Sequence, residues 1–237
     1  MKKHLIISII LISSFNCTAQ EYSIGAETGL HYDFISVIYE HYKCGQAFTG
    51  WDMGSITFSY TTPNHLILKT GINYQNYIYN IGIRLDNFKV AAASETAFRS
   101  IYIPLRLGHE FKLTEKLYFN TYSGIDLILY FDQMHKIFND TIGSIESIQR
   151  TLSVNTVNAL KHGANLAMVT GIDFTLKTKY NVAYSLFCSY HAGLFDTWYA
   201  KGVFTQSNEN VIYEPVFFSK GSHLNFGIGV SYIFKKE

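Results

Sequence analysis

His223-Leu224-Asn225-Phe226-Gly227-Ile228-Gly229-Val230-Ser231-Tyr232-Ile233-Phe234 reads with period two. Leu224, Phe226, Ile228, Val230, Tyr232 and Phe234 share one parity; Asn225, Gly227, Gly229 and Ser231 share the other. Successive side chains of a strand point to opposite faces. The stretch is therefore a strand with one apolar, aromatic face and one small, polar face.

The same design opens the chain. In residues 21–34, Tyr22, Ile24, Ala26, Thr28, Leu30, Tyr32 and Phe34 oppose Ser23, Gly25, Glu27, Gly29, His31 and Asp33. Six segments between repeat it. Ile56, Phe58 and Tyr60 oppose Ser55, Thr57 and Ser59, and Leu66, Leu68, Thr70, Ile72 and Tyr74 oppose Lys69, Gly71, Asn73 and Gln75. Ile101, Ile103, Leu105 and Leu107 oppose Tyr102, Pro104, Arg106 and Gly108. Leu117, Phe119, Ile125, Leu127, Leu129 and Phe131 oppose Asn120, Tyr122, Gly124 and Asp126. Leu166, Met168, Ile172 and Phe174 oppose Ala167, Gly171, Asp173 and Thr175. A segment starting at Tyr180 sets Val182, Tyr184, Leu186 and Tyr190 against Asn181, Ala183, Ser185, Ser189 and His191.

The connections alternate in length. Short ones surround Thr62-Pro63-Asn64, residues 112–116 and Lys177-Thr178-Lys179. Long ones cover about 35–50, 76–97, 132–164 and 193–222. Strict alternation of short turns and long loops is the pattern of an up-and-down outer-membrane barrel, which places both chain ends on the short-turn side. The expected fold is all-β: an eight-stranded antiparallel transmembrane β-barrel with four long outer loops.

Composition agrees. Charged residues make up 16% of the 237, and Tyr and Phe contribute 18 each, against roughly 25% charge in soluble domains. The formal net charge of +1 gives no basic surface for nucleic acid. Lys2 and Lys3, the apolar run Leu5 to Phe15 and the small Ala19 have the layout of a secretory signal peptide. Residues 1–19 are thus expected to be a signal peptide and 20–237 the barrel domain. Cys44 and Cys188 are too few for a disulfide framework, and no Cys/His spacing suggests a metal.

Parity leaves open which face is outside. A secreted soluble β-barrel binding a small apolar ligand would turn the apolar face inward. Three features favour the membrane. The other parity is too small and polar for a soluble core, and the apolar face runs roughly six residues per strand, near bilayer height. Tyr22, Phe34, Trp51, Tyr60, Phe111, Phe131, Tyr180, Tyr190 and Phe234 also mark strand ends as interfacial girdles do.

Ser100-Ile101-Tyr102-Ile103-Pro104-Leu105-Arg106-Leu107-Gly108-His109 leads through a Lys/Thr/Glu turn into Leu117-Tyr118-Phe119-Asn120-Thr121-Tyr122-Ser123-Gly124. This resembles the PorT-like outer-membrane β-barrel proteins of Bacteroidota, in which a Pro-Leu strand precedes a strand ending in a Gly-containing segment. Residues 227–234 fit their closing strand. The resemblance implies an eight-stranded outer-membrane barrel, and it carries over no secretion or gliding role.

The inner parity collects Glu27, His31, Asp33, Lys69, Arg106, Glu110, Asp126, Asp173 and His191. An eight-stranded barrel is just wide enough for its own side chains, and buried charges must be paired. A salt-bridged plug is therefore the expectation for Glu27, His31, Lys69, Arg106, Asp126, Asp173 and His191; an ion path or lumen ligand site is the alternative. No GxSxG, HExxH or P-loop is present. Ser189 and His191, with Asp196 nearby, hold the residue types of a hydrolase at chance level, so no enzyme and no cofactor are expected. Ile145, Ile148, Leu152 and Leu160 form a weak helical pattern in the third loop. The fourth carries Trp198, Tyr199, Phe204, Tyr213, Phe217 and Phe218, a lid over the mouth or a contact surface for another envelope protein. The expected surroundings are outer-membrane lipid. Two function classes remain: a non-enzymatic barrel with a structural, assembly or partner-binding role, and a small-solute or ion conduit or lumen ligand-binding barrel.

Overall fold

A computed structural model describes residues 21–34, 36–38, 49–81, 94–137, 152–160, 163–206, 211–213 and 216–235. Thirteen strands follow in chain order: β1 Glu21–Asp33, β2 Ser36–Ile38, β3 Thr49–Thr61, β4 Leu66–Ile81, β5 Ser94–Lys112, β6 Leu117–Ile137, β7 Leu152–Leu160, β8 Ala164–Lys177, β9 Val182–Gly193, β10 Trp198–Gln206, β11 Val211–Tyr213, β12 Val216–Ser219 and β13 His223–Lys235. Eight of them close a barrel in the order β1-β13-β9-β8-β6-β5-β4-β3. Every neighbouring pair is antiparallel, and β13 pairs with β1 from Glu21↔Lys235 to Asp33↔His223. Closure satisfies every ladder, the condition for a sheet to cross lipid. The expected signal peptide, Cys44, Ile145 and Ile148 lie outside the described residues.

The parity pattern becomes two surfaces. Leu107 and Leu186 are each 60% exposed, and Ile56, Ile72, Leu105, Met168 and Ile228 are exposed with them. The opposite parity is buried: Gln75, Tyr102, Asp126, Ala167, Val169, Ser189, His191 and Asn225. A water-soluble barrel would show the reverse, so the soluble ligand-binding alternative fails on the exterior.

The lumen is tighter than its small residues suggested. A Cβ at Gly171 would lie 2.6 Å from the Tyr122 ring, and one at Gly227 would lie 2.5 Å from the Phe187 ring. Glycine on one strand makes room for an aromatic ring from another. Tyr77, Tyr102 and Ile128 are also wholly buried.

Three expectations need correction. Tyr180 does not begin a strand; it stands in the turn, 70% exposed, because Asn181 takes the left-handed φ of 59° that starts β9 at Val182. Residues 76–81 and 94–97 are ladder rather than loop, and β6 continues to Ile137. Leu152 and Leu160 bound strand β7, not a helix, in a run (LSVNTVNAL) containing two Val and a Thr, which favour extended backbone. The outer connections also build a second sheet, with β10 paired to β7, β11 and β12, and β12 to β2.

Candidate functional site

The described lumen has two polar tiers. The lower one lies toward the short turns, where a cavity of about 80 Å³ is lined by Glu27, Lys69, Asn120 and Asp173 among others. Glu27 and Lys69 form an ion pair between β1 and β4. Lys177 Nζ stands 2.6 Å from Glu21 Oε2 and 2.8 Å from Glu110 Oε2, binding β8 to β1 and β5. Asn120 Nδ2 donates to Asp173 Oδ1 at 2.5 Å, and Thr175 Oγ1 donates to the same oxygen at 2.8 Å.

Lys69 and Arg106 are register partners on β4 and β5. Like charges placed directly opposite repel. Here each turns to a different carboxylate: Lys69 to Glu27, and Arg106 through Nη2 to Asp126 Oδ2 at 3.1 Å. The Tyr122 ring lies 5.8 Å from Lys69 Nζ and 5.4 Å from Arg106 Cζ, and its electron-rich face favours both cations.

The upper tier is built on histidine. His31, His191 and His223 are each at most 1% exposed. His191 and His223 are register partners on β9 and β13, and their rings stack at 4.2 Å with an interplanar angle of 14°. His31 lies edge-on to His223 at 6.3 Å, with Nε2 at 3.1 Å from Asp33 Oδ2. Tyr77 and Tyr102 close the layer, 6.1 and 6.4 Å from the His223 ring.

Above it sits a roof. Asn165 Nδ2 reaches Thr197 Oγ1 at 2.7 Å and Lys220 O at 2.9 Å, while its Oδ1 accepts from Phe195 N at 3.1 Å. One amide on β8 thereby clamps both ends of the fourth outer connection. Gly221 takes φ +71° under the roof, where a Cβ would meet Tyr130 Oη at 2.8 Å. His223 Nδ1 donates to Gly221 O at 2.8 Å.

Ser189 Oγ lies 2.9 Å from His191 Nε2, and Asp126 Oδ2 lies 3.0 Å from His191 Nδ1. These are the residue types and distances of a nucleophile, base and orienting acid, with Asp126 in the place expected of Asp196. The resemblance stops at access and alignment. Ser189 is 2% exposed, Asn225 also approaches His191 Nε2 at 3.2 Å, and the Asp126 contact lies off the ring N–H line.

All seven expected lumen residues point inward, but they do not form one cluster. Glu27, Lys69 and Asp173 belong to the lower tier, His31 and His191 to the upper, and Arg106 and Asp126 join them. Sequence reasoning missed His223, whose inner parity places it beside Asn225, because it opens its strand. It also missed Asn165, Tyr77 and Tyr130, which lay in stretches assigned to loops or passed over. The six loop aromatics lie on β10, β11 and β12. Phe204 pairs with Tyr213, Tyr199 with Phe218, and Ala200 with Phe217.

No protein-family model and no curated protein matches the chain. Among solved structures it is similar to a major outer membrane protein from Thermus thermophilus, with 9% identity, coverage of 90% of this chain and 99% of that one, and a TM-score of 0.53. It is also similar to the outer membrane protein OprG from Pseudomonas aeruginosa, with 11% identity, coverage of 92% and 98%, and a TM-score of 0.49. At such identity the first shows the shared fold. With its closed ladders and apolar exterior, the chain is an outer-membrane β-barrel surrounded by lipid.

Proposed function

We propose that this barrel is a non-enzymatic outer-membrane protein, plugged by its own side chains, that binds another envelope protein through its outer sheet. The observation that carries the reading is the second sheet itself, a set of backbone ladders beyond the barrel whose strands carry Trp198, Phe204, Tyr213 and Phe217. Aromatic residues bury large area at low entropic cost and dominate protein contacts. The lumen supports the plug: Lys69, Arg106 and Lys177 each face a carboxylate, and wholly buried Tyr77, Tyr102 and Ile128 fill the remaining section. Ser189 receives no catalytic role, because it is buried among the side chains that fill the lumen.

The β5–β6 hairpin around Pro104 and Gly124 also motivates a proposed kinship with the PorT-like barrels of Bacteroidota. Photo-crosslinking in intact outer membranes tests the partner: a crosslinker at Phe204 or Tyr213 is expected to capture one defined protein, and a crosslinker at lipid-facing Ile228 is not. Equal capture at both positions would overturn the assignment. The lower cavity motivates the conduit as second reading. Single-channel recording at neutral pH separates them, since stable conductance steps would exclude the plug.

A further inference from the structure

His223 is an imidazole of the upper tier with no acceptor placed to receive a second N–H. Gly221 O can only accept, so His223 Nδ1 carries the hydrogen. In the neutral ring Nε2 is then a bare lone pair, and it is buried without a hydrogen-bond partner. Protonation would place an N–H there with no acceptor, and a charge parallel to the His191 ring at 4.2 Å.

The surroundings offer little to offset that charge. From β1 come His31 and Asp33, which contact each other. From β4 come Gln75 and Tyr77, and from β5 Tyr102 and Arg106, with Tyr102 donating to Gln75. From β6 come Tyr130 and Asp126, the latter engaged by Arg106 and His191. From β9 comes His191, the stacking partner. One carboxylate therefore serves both a guanidinium and an imidazole, while the other sits against His31.

We propose that the stacked His191–His223 pair is an acid-released latch on the outer roof of the barrel. At neutral pH, His223 holds Gly221 O and with it the segment from Ser219 to Ser222, whose backbone returns to β1 and the fourth connection through Phe34 N→Ser222 O and Thr197 N→Ser219 O. When the segment lifts, water entering from the mouth replaces Gly221 O as the partner of the ring, and the hydrated imidazole takes up the proton that the closed layer excludes. Opening takes up protons, so by linkage it is favoured as pH falls through the ordinary imidazole range near 6.5. The release goes beyond the plugged barrel proposed above and leaves the outer-sheet surface as it is.

Hydrogen exchange of the full chain in lipid nanodiscs, corrected for intrinsic rates, tests the latch at pH 7.5 and 5.0. Wild type is expected to lose about tenfold or more of its amide protection in residues 219–223 at the lower pH, since one proton taken up changes an equilibrium tenfold per pH unit. His223→Gln, which cannot titrate, is expected to show the same protection at both pH values; His223→Asn, which also cannot titrate, serves as a second variant if the first does not fold. Unchanged wild-type protection, or an acid loss that persists in a folded variant, overturns the latch. Conductance at pH 7.5 would instead count against the plug and leave the latch to be judged by exchange.

Discussion

Arg106 Nη2 contacts Asp126 Oδ2 at 3.1 Å on the diagonal between β5 and β6, with Gly124 opposite Arg106 and Pro104 opposite Asp126. Both residues are at most 5% exposed. Removing one partner of a buried ion pair strands the other charge, whereas replacing both by apolar groups is close to neutral. Arg106→Met is therefore expected to destabilise the barrel by about 3–5 kcal/mol. Arg106→Met combined with Asp126→Leu should recover most of the loss. Urea unfolding from lipid vesicles measures both; a single variant as stable as wild type would remove Arg106 as the central internal cation.

Gly171 and Tyr122 share one space. Gly171→Ala is expected to cost about 1–3 kcal/mol, the range for overpacking. Tyr122→Leu in the same chain should relieve part of it, so the double variant should be more stable than the sum of the singles predicts. Strict additivity in the same unfolding assay would mean that the ring does not occupy the glycine gap.

Leu105 and Leu113 are both 53% exposed, yet they face different solvents. Leu105 lies in the apolar belt on β5, and Leu113 in the turn to β6. Leu105→Arg is expected to cost about 2–4 kcal/mol, as charge at the bilayer midplane does, and Leu113→Arg close to nothing. Folded yield on a heat-modifiability gel reads the difference. Equal yields would contradict the membrane placement of this face.

The Ser189–His191–Asp126 line carries a clear expectation for a fluorophosphonate probe. With Ser189 2% exposed, folded protein should stay unlabelled at neutral pH. Labelling that disappears in Ser189→Ala would show a reactive nucleophile and revive an enzymatic role.

The barrel was legible because the membrane imposes period two on every strand, as in residues 223–234. Parity also pointed Glu27, Lys69, Arg106 and Asp126 into the lumen. Pairing was not legible, because it depends on register: Lys69 stands opposite Arg106 yet bonds Glu27 on a strand distant in sequence. The strands beyond the belt were missed for a related reason. Residues 76–81 alternate Asn76, Ile78 and Asn80 with Tyr77, Tyr79 and Ile81, so neither parity carries the apolar contrast that marks the belt. His223 escaped notice because nothing in its sequence neighbours announces His191, its partner across the β9–β13 ladder.

The seam where β1 meets β13 has a consequence for how the chain is made. Glu21 on β1 and Lys235 on β13 are register partners, so the ring is joined only when these two strands meet. Until then a curved sheet would carry two raw edges, which hydrocarbon cannot solvate. Such long-range pairing is slow. The meeting of β1 and β13 is thus the step that completes the ring, and a version lacking β13 would be left with an unfinished sheet instead of a narrower barrel.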